Sequence, residues 1–306
     1  MTAPINVTGW RCPACGSGRG RTRFAVPAEG TEAGVEPGAF RPSADAYGST
    51  LAGVIQCETC GHGSVGARPD AADVRRAYED AADPVSLREE SGQVETARRA
   101  LEELERFVTP GTIYDVGCWT GSFLVAATER GWHAVGVEPS RWASDRARAR
   151  GLDVRTASLD DHDLPTGQAK AVVLCDVLEH LLEPEGALRA VSDLLTSGGA
   201  LYVTVPDAGS RLARLMGRRW WSVLPMHVQY FTRQSLRRLL ETNGYRVRAM
   251  RTHPKVFTVR YYLERIGGYS AGASRALVAL ATRTGQADRL VAPDFHDRVA
   301  VIATKD

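Results

Sequence analysis

Two cysteine pairs, Cys12-Pro-Ala-Cys15 and Cys57-Glu-Thr-Cys60, have the C-x-x-C spacing that lets two sulfurs reach one ion from a tight turn. Gly16 and Gly61 directly follow the second cysteine of each pair, where backbone amides must fold back towards the sulfurs. Four thiolates, from Cys12, Cys15, Cys57 and Cys60, close a tetrahedral zinc shell and leave no open position, so the expected zinc is structural. The other reading, a redox dithiol, is disfavoured because neither pair opens a helix after a strand. His62, beside the second pair, is expected to be a surface histidine. Cys118 and Cys175 stand alone.

A second group of residues surrounds a glycine turn. The stretch DVGCWTGSF, residues 115–123, runs from an apolar strand through Gly117, Cys118, Trp119, Thr120 and Gly121 into a helix. Backbone N–H groups at such a helix start accept the polar groups of a cofactor, and glycines let the backbone come close. Twenty-one residues after Gly117 the next strand ends in Glu138, where a carboxylate can accept both hydroxyls of an adenosine ribose. A dinucleotide turn would need G-x-G-x-x-G and a phosphate loop G-K-[ST]; this turn has neither, and no lysine lies near it in sequence. Trp119 occupies a position that often holds glycine. Its backbone is expected to need no positive φ, with the side chain pointing to the bound cofactor or to the helices near Tyr78.

These residues need a scaffold, and the chain supplies the pattern for one. From Thr112 onward, apolar strand runs alternate with amphipathic helices: TIYDVG, HAVGVE, LDVRTA, AKAVVLCD and ALYVTVPD are strands. The intervening GSFLVAATERG, SRWASDRARARG and PEGALRAVSDLLTSGG are helices, the second capped by Ser140 and Gly151. Such alternation predicts a parallel sheet with helices on both faces. Upstream, Val94, Ala97, Leu101, Leu104 and Phe107 recur at helical spacing, and Pro84 divides that stretch into two helices. TRQSLRRLLETNG is a further helix, followed by the strand YRVRAMRT, a helical insert and the last strand DRVAVIATK.

In this order DVGCWTGSF, VGVEPS, VVLCDVLEHLLEP, LLTSGGALYVTVPD and HVQYFTRQSLRRLLETNGYRV resemble the successive motifs of class I S-adenosylmethionine-dependent methyltransferases, over roughly residues 90–306. The resemblance implies an α/β Rossmann-like fold with a seven-stranded sheet whose last strand is antiparallel. It implies S-adenosylmethionine as cofactor, its methionine part held at Asp115, Gly117, Cys118, Trp119 and Gly121. The ribose would lie at Glu138 with Pro139 beside it, the adenine at Ser158 and Leu159, and the sulfonium near Cys175 and Asp176. Tyr78 matches, loosely, a tyrosine that closes over the donor, and Arg98 or Arg99 is expected to meet the donor carboxylate. Glu179 and His180 recur in the family at a helix start and are read as structural.

The segment 207–232 is where this family builds its acceptor pocket. Trp220, Trp221, Met226, His227 and Tyr230 lie close together there, and apolar walls with a few polar groups suit a small organic acceptor. His227 is the expected general base, with Tyr230 as a second catalytic candidate. The layout resembles zinc-ribbon methyltransferases of nucleotide-linked sugars and natural products, although PMHVQYFT keeps only one histidine and the Tyr-Phe pair of the HEHxxYF-like pattern. C-, N- and O-methylation all stay open. The alternatives are an RNA methyltransferase with a zinc module, or a non-catalytic partner protein that binds the donor.

Composition narrows these readings. In 306 residues, a net charge of +2 creates no field that would draw the protein to nucleic acid or a membrane. No apolar run reaches the ~18 residues of a membrane span, and the start of the chain lacks the apolar core of a signal peptide. A cytoplasmic protein with a small-molecule acceptor is therefore expected. Its domains are read as a zinc ribbon over 1–68, a helical lead-in over 69–110 and the methyltransferase domain over 111–306, with a helical insert over 254–296.

Overall fold

The structure is a computed structural model that describes residues 9–25, 40–41, 43 and 45–305. The first residues, read above for a leader, and part of the 1–68 segment lie outside them. Strands β1 (Gly20–Phe24), β2 (Val54–Cys57) and β3 (Gly63–Val65) form an antiparallel ribbon. The lead-in then supplies helix α1 (Ala71–Glu79), a 3-10 turn at Pro84–Glu89 and helix α2 (Glu90–Leu104). Asp70 caps α1 by accepting from Ala72 N and Asp73 N, and Pro84 starts the 3-10 turn because a residue at that point needs no N–H donor.

The alternating part follows the sequence pattern. It contains β4 (Thr112–Val116), α3 (Ser122–Glu129), β5 (His133–Val137), α4 (Arg141–Ala149) and β6 (Asp153–Arg155). These lead to β7 (Ala169–Cys175), α5 (Pro184–Leu194), β8 (Leu195–Pro206), α6 (Arg211–Met216), β9 (Gln229–Tyr230) and α7 (Arg233–Thr242). The chain finishes with β10 (Tyr245–Thr252), β11 (Phe257–Thr258), α8 (Val259–Arg265), α9 (Ala271–Arg283), β12 (Leu290–Val291) and β13 (Arg298–Lys305). Helix α5 ends at Leu194 rather than continuing to Gly199, because β8 already starts at Leu195. The helical insert is closed by a two-stranded pairing of β11 with β12 that its sequence does not announce.

The seven strands lie in the order β10-β13-β8-β7-β4-β5-β6. All are parallel except the last, β13, which is antiparallel to both β8 and β10. Side chains alternate across the sheet. Val172, Leu174, Leu201 and Val203 pack one face against Leu188 and Val191 of α5 and Leu236 of α7. Ile113, Val173 and Tyr202 pack the other against Leu101 and Leu104 of α2 and Phe123 of α3. A strand buried on both faces reads as a continuous apolar run, as β7 does.

Two connections decide where the site lies. The expected boundary at residue 68 is crossed by a sheet: β3 pairs with β9, Gly63 opposite Tyr230 and Ser64 opposite Gln229. The ribbon is thus completed by a strand from the acceptor segment. The lead-in is also pressed onto the helical insert. A Cβ on Gly92 would lie 2.3 Å from Val256 O, Thr96 Oγ1 accepts from Val256 N at 2.8 Å, and Glu89 accepts from Thr258 N and Oγ1. Among the described residues no helix is long and apolar enough to cross a membrane.

Candidate active site

A single cleft of about 1230 Å³ runs along the carboxyl ends of the central strands, under the lead-in and the helical insert. Its floor is the glycine turn. Gly117 and Gly121 adopt φ of +73° and +83°. Added Cβ atoms there would lie 2.7 Å from Val177 Cγ2 and 2.4 Å from Leu152 Cδ1, so both positions need glycine for conformation and for space. Cys118 lines the cleft and packs with Leu124, Ala147 and Val154.

Trp119 corrects one expectation and meets another. Its φ is +48°, a left-handed conformation that costs a bulky residue free energy and persists only where the surroundings hold it. Three contacts hold it: its N–H donates to Glu138 Oε2 at 2.8 Å, its indole Nε1 to Ser86 Oγ at 3.0 Å, and its ring lies 5.5 Å from that of Trp142. The side chain therefore reaches the lead-in, as expected.

Glu138 ends β5 and accepts one backbone N–H on each oxygen, from Trp119 and Ser140, both at 2.8 Å. Each oxygen keeps a second lone pair for a ligand hydroxyl. Burial pushes its pKa up to about 7, against those two hydrogen bonds. Asp115, at the end of β4, is pushed up to about 8 by burial and by Glu138. Pro139, Ser158 and Leu159 line the same end, and the buried Ser158 Oγ has no hydrogen-bond partner among the described residues. These groups fit the ribose and base of an adenosyl cofactor.

Further along, Cys175 and Asp176 line the cleft where β7 ends. Asp176 has φ of +59° and is gripped by both Lys255 and Arg298. Burial alone raises its pKa, but Arg298 and Lys255 override this and hold it well below the carboxylate range. Tyr78 reaches the cleft with its buried hydroxyl unpartnered among the described residues, its ring 5.9 Å from that of His180.

The acceptor side only partly follows expectation. Trp221, Met226 and His227 line the cleft, whereas Trp220 and Tyr230 lie outside it. Trp220 is buried and donates to Asp297; Tyr230 packs with Phe24, Val54 and Ala213. Tyr230 is corrected from catalysis to packing, because its strand alternates it towards the ribbon. Arg98 and Arg99 are also corrected, since they pair with Glu129 and Glu95 on the outer face of α2. His62 is buried, not superficial, and bonds Gln229 Oε1 at 2.9 Å.

Three comparisons bear on this geometry. A sequence profile described as a methyltransferase domain matches residues 89–250, more than half of the chain. The chain belongs to the methyltransferase-domain family. A curated relative, the ubiquinone biosynthesis O-methyltransferase of Aeromonas salmonicida (strain A449), is 27% identical over 152 residues. That match covers 45% of this methyltransferase and 64% of the relative, under two thirds of its length. A SAM-dependent methyltransferase from Archaeoglobus fulgidus superposes with a TM-score of 0.50 at 19% identity, over 73% of this chain and 100% of that one, which shows the shared fold. A Thermotoga maritima structure, described as a SAM-dependent and possible histamine N-methyltransferase, has a TM-score of 0.47, 19% identity and coverages of 72% and 93%.

Membership of this family supports S-adenosylmethionine as the donor of this methyltransferase. Its four N-terminal cysteines cluster as their spacing predicts. Cys12 and Cys60 Sγ lie 3.6 Å apart, as do Cys15 and Cys57 Sγ, and all four atoms fall within 4.8 Å. Sulfurs about 2.3 Å from one tetrahedral zinc sit about 3.8 Å apart, so the set fits that ion. A disulfide would bring two sulfurs to about 2.05 Å.

The cleft also holds residues that sequence reasoning passed over or read as structural. Lys255 and Arg298 are brought to Asp176 from the segment after β10 and from the start of β13. Lys255 carries a signal in hindsight, as one of three lysines among 38 basic residues. Glu179 and His180, read as structural, line the cleft beside His227. His180 Nδ1 lies 3.2 Å from Met226 O and His227 Nδ1 2.7 Å from Ser222 O. A carbonyl only accepts, so both Nδ1 atoms carry the proton and both Nε2 atoms keep a lone pair. Burial lowers the two pKa values to about 4 and about 3, so both rings are neutral near pH 7.

Proposed function

We propose that this protein transfers a methyl group from S-adenosylmethionine to a small-molecule acceptor, and that zinc held by Cys12, Cys15, Cys57 and Cys60 is structural. The observation that carries the reading is the continuity of the cleft. One end is lined by Asp115, Gly117 and Glu138, the other by His227, Lys255 and Tyr261. Its volume of about 1230 Å³ exceeds the roughly 300–1,000 Å³ of a site for one drug-sized ligand. Donor and acceptor therefore fit side by side.

The cofactor, when bound, supplies a methyl group on a sulfonium that leaves readily under attack from the opposite side. The chain contributes alignment, which for well-oriented pairs amounts to effective molarities of about 10⁵–10⁸ M. Glu138 and the turn amides hold the donor, and the lead-in, tied down through Trp119 and Ser86, excludes water. Tyr47, Trp221, Tyr261, Tyr262 and Phe295 wall the acceptor end, and the Lys255–Asp176–Arg298 cluster within it carries one net positive charge. This environment suits an acceptor with a flat or apolar body and an acidic group, as in specialised-metabolite or sugar biosynthesis. His227 lines the acceptor end, yet an imidazole with a pKa of about 3 is a weak proton sink at neutral pH.

Calorimetry with S-adenosylmethionine tests the reading. Binding by the wild-type chain, weakened in Glu138→Ala, is the expected result. No heat at a saturating donor concentration would exclude methyl transfer.

A further inference from the structure

We propose that Glu179, His180 and His227 form a binding site for a divalent transition-metal ion in the acceptor half of the cleft, separate from the four-cysteine centre. One candidate ligand atom from each residue lies within 4.8 Å of the other two. Ligand atoms at about 2.1 Å from one ion sit roughly 3–4 Å apart, so rotation of a side chain closes the set. The residues come from two segments: Glu179 and His180 from the turn after β7, and His227 from the stretch before β9.

The hydrogen bonds around these residues are those of metal ligands. Both histidines give their Nδ1 protons to backbone carbonyls, of Met226 and Ser222. This fixes the tautomer with Nε2 lone pairs free and the rings oriented, the arrangement a metal-binding imidazole requires. The rings lie 4.8 Å apart, nearly perpendicular at 76°. Glu179 is 1% exposed, and neither of its carboxylate oxygens has a hydrogen-bond partner among the described residues. A buried carboxyl with no side-chain donor is costly, and Arg298 and Lys255 favour its charge only through space, because both are joined to Asp176. A metal ion supplies the missing partner.

Two imidazoles and one carboxylate favour iron(II), cobalt(II), zinc(II) or manganese(II) over magnesium or calcium. Three protein ligands leave coordination positions open, so the acceptor class follows: a molecule that presents a hydroxyl, enolate or carboxylate oxygen next to the atom that is methylated. The acceptor assignment rests on the proposed methyl transfer, whereas the metal site itself is tested without donor or acceptor. Its failure would leave the donor calorimetry untouched.

The test titrates purified protein of measured zinc content with cobalt(II), followed by calorimetry and visible absorption. The wild-type chain is expected to take one equivalent beyond the cysteine site, with nitrogen–oxygen rather than thiolate bands. His180→Ala, His227→Ala and Glu179→Gln are expected to weaken that equivalent by at least about tenfold, the loss caused by removing even an outer partner. Tyr230→Phe is expected to leave it unchanged. Absence of the second equivalent in wild-type protein, or wild-type affinity in a folded Glu179→Gln variant, overturns the proposal. Glu179→Gln preserves size, so it decides the matter if a histidine variant does not fold.

Discussion

The indole of Trp119 donates to Ser86 Oγ at 3.0 Å, and this bond ties the floor of the cleft to its roof. Trp119 sits in the turn after β4, Ser86 in the 3-10 turn of the lead-in. The bond, with the contact to Trp142, offsets the cost of a left-handed tryptophan. Each of Trp119→Phe and Ser86→Ala is expected to lower the unfolding free energy by about 0.5–1.5 kcal/mol. The double variant is expected to lose less than the sum, because both changes remove the same bond. Denaturant melts of the four proteins measure this coupling, and full additivity would refute it.

Glu138 is the residue on which donor affinity should depend most. Hydrogen bonds to a charged acceptor contribute about 1.5–3 kcal/mol each, so Glu138→Ala is expected to weaken S-adenosylmethionine at least tenfold. The ionised carboxylate is the better acceptor, and its pKa stands at about 7 in the free protein. Donor affinity should therefore rise with pH through about 7, as followed by calorimetry across that range.

The same burial has a consequence for stability. Asp115 and Glu138 have folded-state pKa values of about 8 and about 7, above their ordinary values. Folding thus takes up protons between the ordinary and the raised values. This contribution is fully present below the ordinary carboxylate range and is lost as pH rises through about 7 to 8. The donor-free protein should melt at a lower temperature above pH about 8 than below pH about 7, with a shallower decline in Asp115→Asn.

Zinc removal should act at a distance from the cysteines. Val65 N donates to Val228 O at 3.0 Å, Val228 N donates to Glu179 O at 2.9 Å, and Thr232 Oγ1 donates to Cys60 O at 3.3 Å. The ribbon therefore holds the segment that carries His227. Chelation is expected to speed hydrogen exchange at Val65 and Val228 while donor affinity stays near that of the intact protein. Equal damage to both would contradict this division.

Tyr230 offers a control on the acceptor side. Its hydroxyl is buried outside the cleft, with no hydrogen-bond partner among the described residues. Tyr230→Phe is expected to keep kcat and KM for the acceptor and to preserve or raise the melting temperature. A loss of kcat would return it to the catalytic group.

Much of this arrangement was legible in the sequence, because its signals are local. The alternation of apolar strands and amphipathic helices specified the parallel sheet, the family resemblance implied its antiparallel last strand, and C-x-x-C spacing specified the cysteine cluster. Glycine at 117 and 121 and acid at 138 marked the donor end, since backbone conformation and close approach restrict residue type there. Tertiary structure alone decided what depends on distant segments meeting. It joined β3 to β9, packed Tyr230 against Phe24 and Val54 and set Trp220 onto Asp297, both outside the cleft, and turned His62 inward onto Gln229. It brought Lys255 and Arg298 onto Asp176 across 79 and 122 residues of chain. It also set Glu179 beside His180 and His227, because a side chain's partner is chosen by packing and direction rather than by distance along the chain.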